Sequence, residues 1–131
     1  MCGILPTPEG ELWFTGLVPY PMDHGEEVSN ETAYARDVDG TRFELVNTRQ
    51  GSAIYRDGEP YIQFPYGIRV VTDRQGKLKK IIGMSAGSVK GSVQIAGKTY
   101  SFTVKGNEQQ IFSAGGFETL SDIGLVMPAY R

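Results

Sequence analysis

The residues with the most capacity for chemistry fall in three groups. Asp23, His24, Glu26 and Glu27 place one imidazole and three carboxylates within five residues, and His24 is the single histidine of the chain. That donor set suits a divalent cation. Catalytic metal sites gather their ligands from separate rigid elements, however, so one polar loop is expected to be a solvated acidic surface. Arg69, Arg74, Lys77, Lys79 and Lys80 form a basic hairpin, with Tyr61, Phe64 and Tyr66 near in sequence. Cations beside aromatic faces suit phosphate contacts and base stacking. The alternative is a solvent- or partner-facing edge, on which lysine discourages uncontrolled strand pairing. Trp13, Tyr20, Tyr61, Tyr66 and Tyr130 could line a pocket, present a sugar-binding surface or pack a β core. Residues 83–90 are Gly- and Ser-rich with Lys90, but lack the Gly-Lys-Ser/Thr ending and the following helix of a phosphate loop. For acid–base work a carboxylate such as Glu44 would have to serve, and nothing in its neighbours marks it out. No catalytic, cofactor or metal residue is assigned.

Met1-Cys2-Gly3-Ile4 resembles the start of the class II glutamine amidotransferases, in which removal of Met leaves an N-terminal Cys nucleophile with its own α-amine as base. That resemblance covers four residues and stops at Leu5-Pro6. Val93-Gln94-Ile95-Ala96-Gly97 resembles the Gln-x-Val-x-Gly hairpin loop of the cystatin protease inhibitors. The long amphipathic helix of those inhibitors has no counterpart in the chain, and a hairpin turn accounts for Ala96-Gly97 without a protease. Asp37, Asp39 and Gly40 have the look of a calcium loop. Counting from Gly40 as sixth position puts Ala35 first and Val46 twelfth, where carboxylates are required.

The elements that must position these groups are read from turn chemistry. Asp37-Val-Asp-Gly40, Asp57-Gly58, Asp73-Arg-Gln-Gly76 and Ala96-Gly97 each stand between short apolar runs, and each can reverse the backbone. Strands are expected at Glu11–Val18, at Ala33–Arg36 and Thr41–Asn47, at Ser52–Arg56 and Pro60–Phe64, and at Ile68–Thr72 and Lys77–Ile82. Further candidates are Val93–Ile95 with Tyr100–Val104, then Gln109–Phe112 and Ile123–Met127. The two-residue loop Asp57-Gly58 would set Ile54 opposite Tyr61. A four-residue connection, Ala96–Thr99, would set Ile95 opposite Tyr100 and Val93 opposite Phe102, with the apolar groups on one face. Residues 1–10, with Pro6 and Pro8, read as an extended arm, residues 22–32 as a long polar loop, and Phe117–Asp122 as the one place for a helical turn. The expectation is a single all-β domain over 11–131, with about nine short antiparallel strands in a sandwich, jelly roll or small barrel.

With 131 residues the chain can bury one sizeable core. Its single Cys makes no internal disulfide. No classical secretory signal or membrane span is read, so the expected setting is the cytoplasm, or a particle assembled there. The net charge of −2 argues against a free nucleic-acid binder. Residues 1–60 carry eleven acidic and four basic side chains, against four acidic and nine basic in residues 61–131. Such a molecule can dock on copies of itself or on a complementary partner, unless folding interleaves the halves.

The functional expectation is a non-enzymatic structural or interaction module that assembles into a homo- or hetero-oligomer, with a virion or other large particle as one setting. Free termini order only when tied down, so residues 1–10 and the tail with Tyr130 and Arg131 would reach across subunits. The acidic loop with Asp23, Glu26 and Glu27 would meet the hairpin of Arg69, Arg74, Lys77, Lys79 and Lys80 on another copy. One alternative is a small β-barrel that binds, isomerises or cyclises an apolar small molecule. Another is a lectin-like module presenting Trp13 or Tyr20 to a carbohydrate or protein.

Overall fold

Apolar residues at alternate positions between glycine-bearing turns bury one face of each strand and so define two layers. In a computed structural model, described for residues 3–16, 31–113 and 115–119, twelve strands form two six-stranded antiparallel sheets. They are β1 Gly3–Pro6, β2 Leu12–Thr15, β3 Glu31–Val38, β4 Thr41–Asn47, β5 Ser52–Arg56 and β6 Glu59–Phe64. There follow β7 Ile68–Thr72, β8 Leu78–Gly83, β9 Ser88–Ile95, β10 Lys98–Lys105, β11 Gln109–Ser113 and β12 Gly116–Thr119. Sheet A runs β1-β2-β7-β8-β11-β12 and sheet B runs β10-β9-β6-β5-β4-β3. The all-β sandwich is as expected, with more strands, because two segments read otherwise are strands.

The first is the supposed arm: Gly3–Pro6 pairs with Leu12–Thr15, from Gly3 opposite Thr15 to Pro6 opposite Leu12. Ile4 is fully buried and anchors this edge strand, and Pro6 is tolerated at its end. The second is the supposed helical turn, of which Phe117–Thr119 belongs to β12 and pairs with Gln110–Phe112. Phe117 meets Phe112 and Phe102 edge to face, at 5.2 and 5.9 Å between ring centroids, and this packing overrides local pattern. The Ile123–Met127 strand and the 22–30 part of the acidic loop lie outside the described residues.

Two registers also differ from expectation. Ala96-Gly97 is a two-residue loop, with Ile95 opposite Lys98 and Val93 opposite Tyr100. A shift of two residues keeps every side chain on its own face, so the apolar pattern cannot separate the two offsets. The turn decides: Ala96 and Gly97 have φ of 50° and 87°, both positive, as a type I′ turn requires. Asp57-Gly58 is likewise a two-residue loop, but a bulge leaves Tyr61 unpaired and sets Ile62 opposite Ile54. The bulge keeps Ile62 fully buried and frees Tyr61 to lie 4.0 Å beneath the Arg56 guanidinium.

The core lies between the sheets. Phe14 of sheet A meets Phe43 of sheet B edge to face at 5.8 Å, among fully buried Leu45, Ile54, Ile62, Val70, Ile81 and Val93. At one flank β1 lies against β3, where Arg36 Nη1 donates to the Ile4 carbonyl at 3.5 Å. At the other, β10 lies against β12, and Gln110 Nε2 donates to the Thr103 carbonyl at 2.7 Å. Each sheet contains strands of both halves of the chain, but β1–β5 gather toward the flank where β1 meets β3 and β7–β12 toward the flank where β10 meets β12, so the strand order does not interleave the acidic and basic halves.

Candidate functional site

Strand pairing assembles one continuous row across the outer face of sheet A. Val70 and Ile81 point into the core, so their neighbours one residue away lie on the opposite face, where Val71 is nevertheless fully buried. Leu5 is opposite Trp13, Trp13 opposite Val71, and Val71 opposite Lys80. Lys80 is opposite Ile111, and Ile111 opposite Glu118. A neighbouring row runs Thr15, Arg69, Ile82 and Gln109. Leu5 is 51% exposed, an unusual state for a leucine held in a regular strand next to a tryptophan.

Arg69 and Trp13 form the centre of this face. The guanidinium carbon lies 4.5 Å from the indole centroid, within range of a cation–π contact. Arg69 Nε donates to Thr15 Oγ1 at 2.9 Å, and Trp13 Nε1 donates to Glu11 Oε1 at 3.4 Å. Partial burial lowers the Arg69 pKa from its ordinary value, although a guanidinium stays charged at any physiological pH. The result is a partly apolar face on which Trp13, Arg69 and Lys80 are half-buried and Leu5 is exposed, while Val71 and Thr15 are buried. It can recognise a partner by packing and charge, and among the described residues it brings together no nucleophile with a base, paired acid and base, or phosphate cradle.

The remaining members of the basic hairpin disperse. Arg74 is taken up by Asp39, Nε to Oδ2 at 2.6 Å and Nη2 to Oδ1 at 3.1 Å. Lys77 is exposed just before β8, its backbone N–H donating to Asp73 Oδ1 at 2.9 Å. Lys79 is the exposed bulge residue of β8, and Lys80 alone joins Arg69 on the outer face. The aromatic residues expected beside the hairpin lie elsewhere. Phe64 is in the core, Tyr61 stacks under Arg56, and the Tyr66 hydroxyl donates to the Thr48 carbonyl at 2.6 Å. Glu44 accepts a hydrogen bond from Thr32 Oγ1 at 3.2 Å on an exposed surface.

Tyr20, Asp23, His24, Glu26, Glu27, Tyr130 and Arg131 lie outside the described residues. Among the described residues no group of three or more His, Cys, Asp or Glu side chains is arranged to hold a metal ion. Two contributors escaped sequence reasoning. Leu5 was hidden in a proline-flanked segment, and Thr15 carries no signal until β2 and β7 pair. Comparison of the chain with protein-family models, curated proteins and solved structures gives no match.

Proposed function

We propose that this protein is a non-enzymatic interaction module that assembles through the outer face of sheet A, a second copy of the chain being the foremost partner. The observation that carries this reading is the juxtaposition of half-exposed Leu5 with Trp13 and Arg69. Tryptophan and arginine are the residue types most enriched at energetic centres of protein interfaces, and an exposed leucine beside them adds area to desolvate. Lys80 and Glu118 lie in the same row, separated by Ile111, so an antiparallel two-fold pairing of this face can set each against its opposite in the other copy. Support for an apolar ligand held inside a barrel is weaker, because phenylalanine, leucine, isoleucine and valine side chains fill the space between the sheets.

Light scattering behind size exclusion, at low and high salt, tests the proposal on the wild type and on Leu5→Lys. A defined oligomer that Leu5→Lys returns to monomer is the expected result. A wild type that stays monomeric at every concentration and salt overturns self-assembly.

A further inference from the structure

Sheet B carries a second surface of different chemistry. β6 and β9 pair over two positions only, Ile62 with Ile95 and Gln63 with Gln94, whereas β9 and β10 pair over eight. Ladder pairing stops after Gln63, and a cleft of about 420 Å³ is lined there by the 48–51 turn, Ala53 and Tyr55 of β5, Gln63 and Phe64 of β6, and Ser92 and Gln94 of β9. That volume lies in the range of small-molecule sites, roughly 300–1,000 Å³.

The lining decides the class of ligand. Among the described residues no Asp, Glu, Lys, Arg or His lines the cleft, so neither an anion nor a cation would gain a counter-charge. The polar side chains are the amides of Gln50, Gln63 and Gln94 and the hydroxyls of Thr48, Ser52, Tyr55 and Ser92, of which Ser52 donates to Asn47 Oδ1 at 3.2 Å. A carboxamide presents one acceptor and two donors side by side, which matches the mixed donor and acceptor character of vicinal hydroxyls. Gln63 and Gln94 stand directly opposite each other, and the Tyr55 ring offers a flat apolar face for sugar C–H groups.

The rim is held in place before any ligand arrives. Thr48 N–H and Oγ1–H both donate to the Gly51 carbonyl, at 2.8 and 2.9 Å, and Gln50 N–H donates to Thr48 Oγ1 at 3.2 Å. Tyr66 clamps the turn from the other side through the Thr48 carbonyl. A Cβ on Gly51 would collide with the Phe64 carbonyl oxygen and lie 2.8 Å from Pro65 Cα, so the turn lies tight on the floor of the cleft. Thr48 is spent on this turn and Ser52 on Asn47, which leaves the glutamines, Ser92 and Tyr55 to a ligand. A pre-ordered rim lowers the cost of binding.

We propose that this cleft binds a neutral saccharide chain. The proposal is independent of the sheet A face, and the two surfaces are tested separately.

Amide NMR spectra of the full chain are recorded with cellohexaose, maltohexaose, chitohexaose and a high-mannose glycan released from protein. The first three represent structural or storage polysaccharide and the last a glycoprotein source. Saturable shifts at Gln63, Gln94, Ser92 and Tyr55 with any of these support the proposal and identify the source. Gln63→Ala with Gln94→Ala, both at exposed positions, should then weaken binding about tenfold while the rest of the spectrum is unchanged. The absence of shifts with all four glycans overturns the proposal. So do shifts centred on Trp13, or binding that the double variant leaves intact.

Discussion

Arg74 holds Asp39 in a two-pronged ion pair that ties the β7–β8 turn of sheet A to the β3–β4 turn of sheet B. The shorter arm, Nε to Oδ2, is 2.6 Å and the longer, Nη2 to Oδ1, is 3.1 Å. A cation that reads in the sequence as free for a partner is thus engaged within its own chain. The contact also joins the acidic and basic halves of the sequence.

The pair makes stability depend on pH. The hydrogen bond from Arg74, followed by its charge, holds the Asp39 carboxyl below the usual carboxylate range and raises the Arg74 pKa. A carboxyl depressed in the folded state stabilises above its unfolded pKa, and the contribution is lost as pH falls through the folded value. Asp39→Asn should therefore be slightly less stable than the wild type near neutrality. The difference should shrink as pH falls below the ordinary carboxylate pKa and vanish below the depressed value of Asp39. Both side chains are substantially exposed, so the difference is small and shrinks with salt. Thermal melts across the acid range check this.

Trp13 and Arg69 should show energetic coupling. A double-mutant cycle with Trp13→Leu and Arg69→Met is expected to give an interaction of about 0.5–1 kcal/mol, as for a half-exposed cation–π contact. Urea titrations of the four proteins measure it. Additive effects would mean that the stacked geometry contributes nothing.

Ala96 adopts φ of 50° without being glycine or asparagine, a conformation that costs an L residue roughly 1–2 kcal/mol. Ala96→Asn makes the turn Asn-Gly, the preferred type I′ pair. Stability should rise by up to about 1 kcal/mol, read as a higher urea midpoint with unchanged slope. A decrease would show that the Ala96 methyl is needed.

Phe43 is fully buried, and its ring edge, Cε1, lies 3.0 Å from where a Cβ on Gly76 would stand. Phe43→Ala should cost about 3–5 kcal/mol through lost burial and the cavity left behind. Gly76→Ala should also destabilise, because Gly76 has φ of 92° as well as this crowding. The Asp73 carboxylate caps the same turn, accepting from the backbone N–H groups of Gln75 and Lys77 at 2.9 Å each. Chemical denaturation of both variants compares the core with the turn beneath it.

Much of this protein was legible in local chemistry. Asp39-Gly40, Asp57-Gly58 and Ala96-Gly97 reverse the chain where their residue types allow positive φ, and Ser52–Arg56 and Ile68–Thr72 are strands as read. These are short-range properties, decided by the residues themselves and their immediate neighbours. The bulge at Tyr61, the strand at Gly3–Pro6 and the conversion of Phe117–Thr119 into β12 were not legible, because each depends on a partner distant in sequence. Basic charge at 69–80 was visible, but its division between Asp39, the Trp13 ring and solvent was not. The sequence by itself determined which segments alternate and where they turn, because steric and solvation preferences act over a few residues. Only the tertiary structure decided that Leu5, Trp13 and Arg69 share one face and that Tyr55, Gln63 and Gln94 line one cleft with the 48–51 turn, because cross-strand register is a property of pairs.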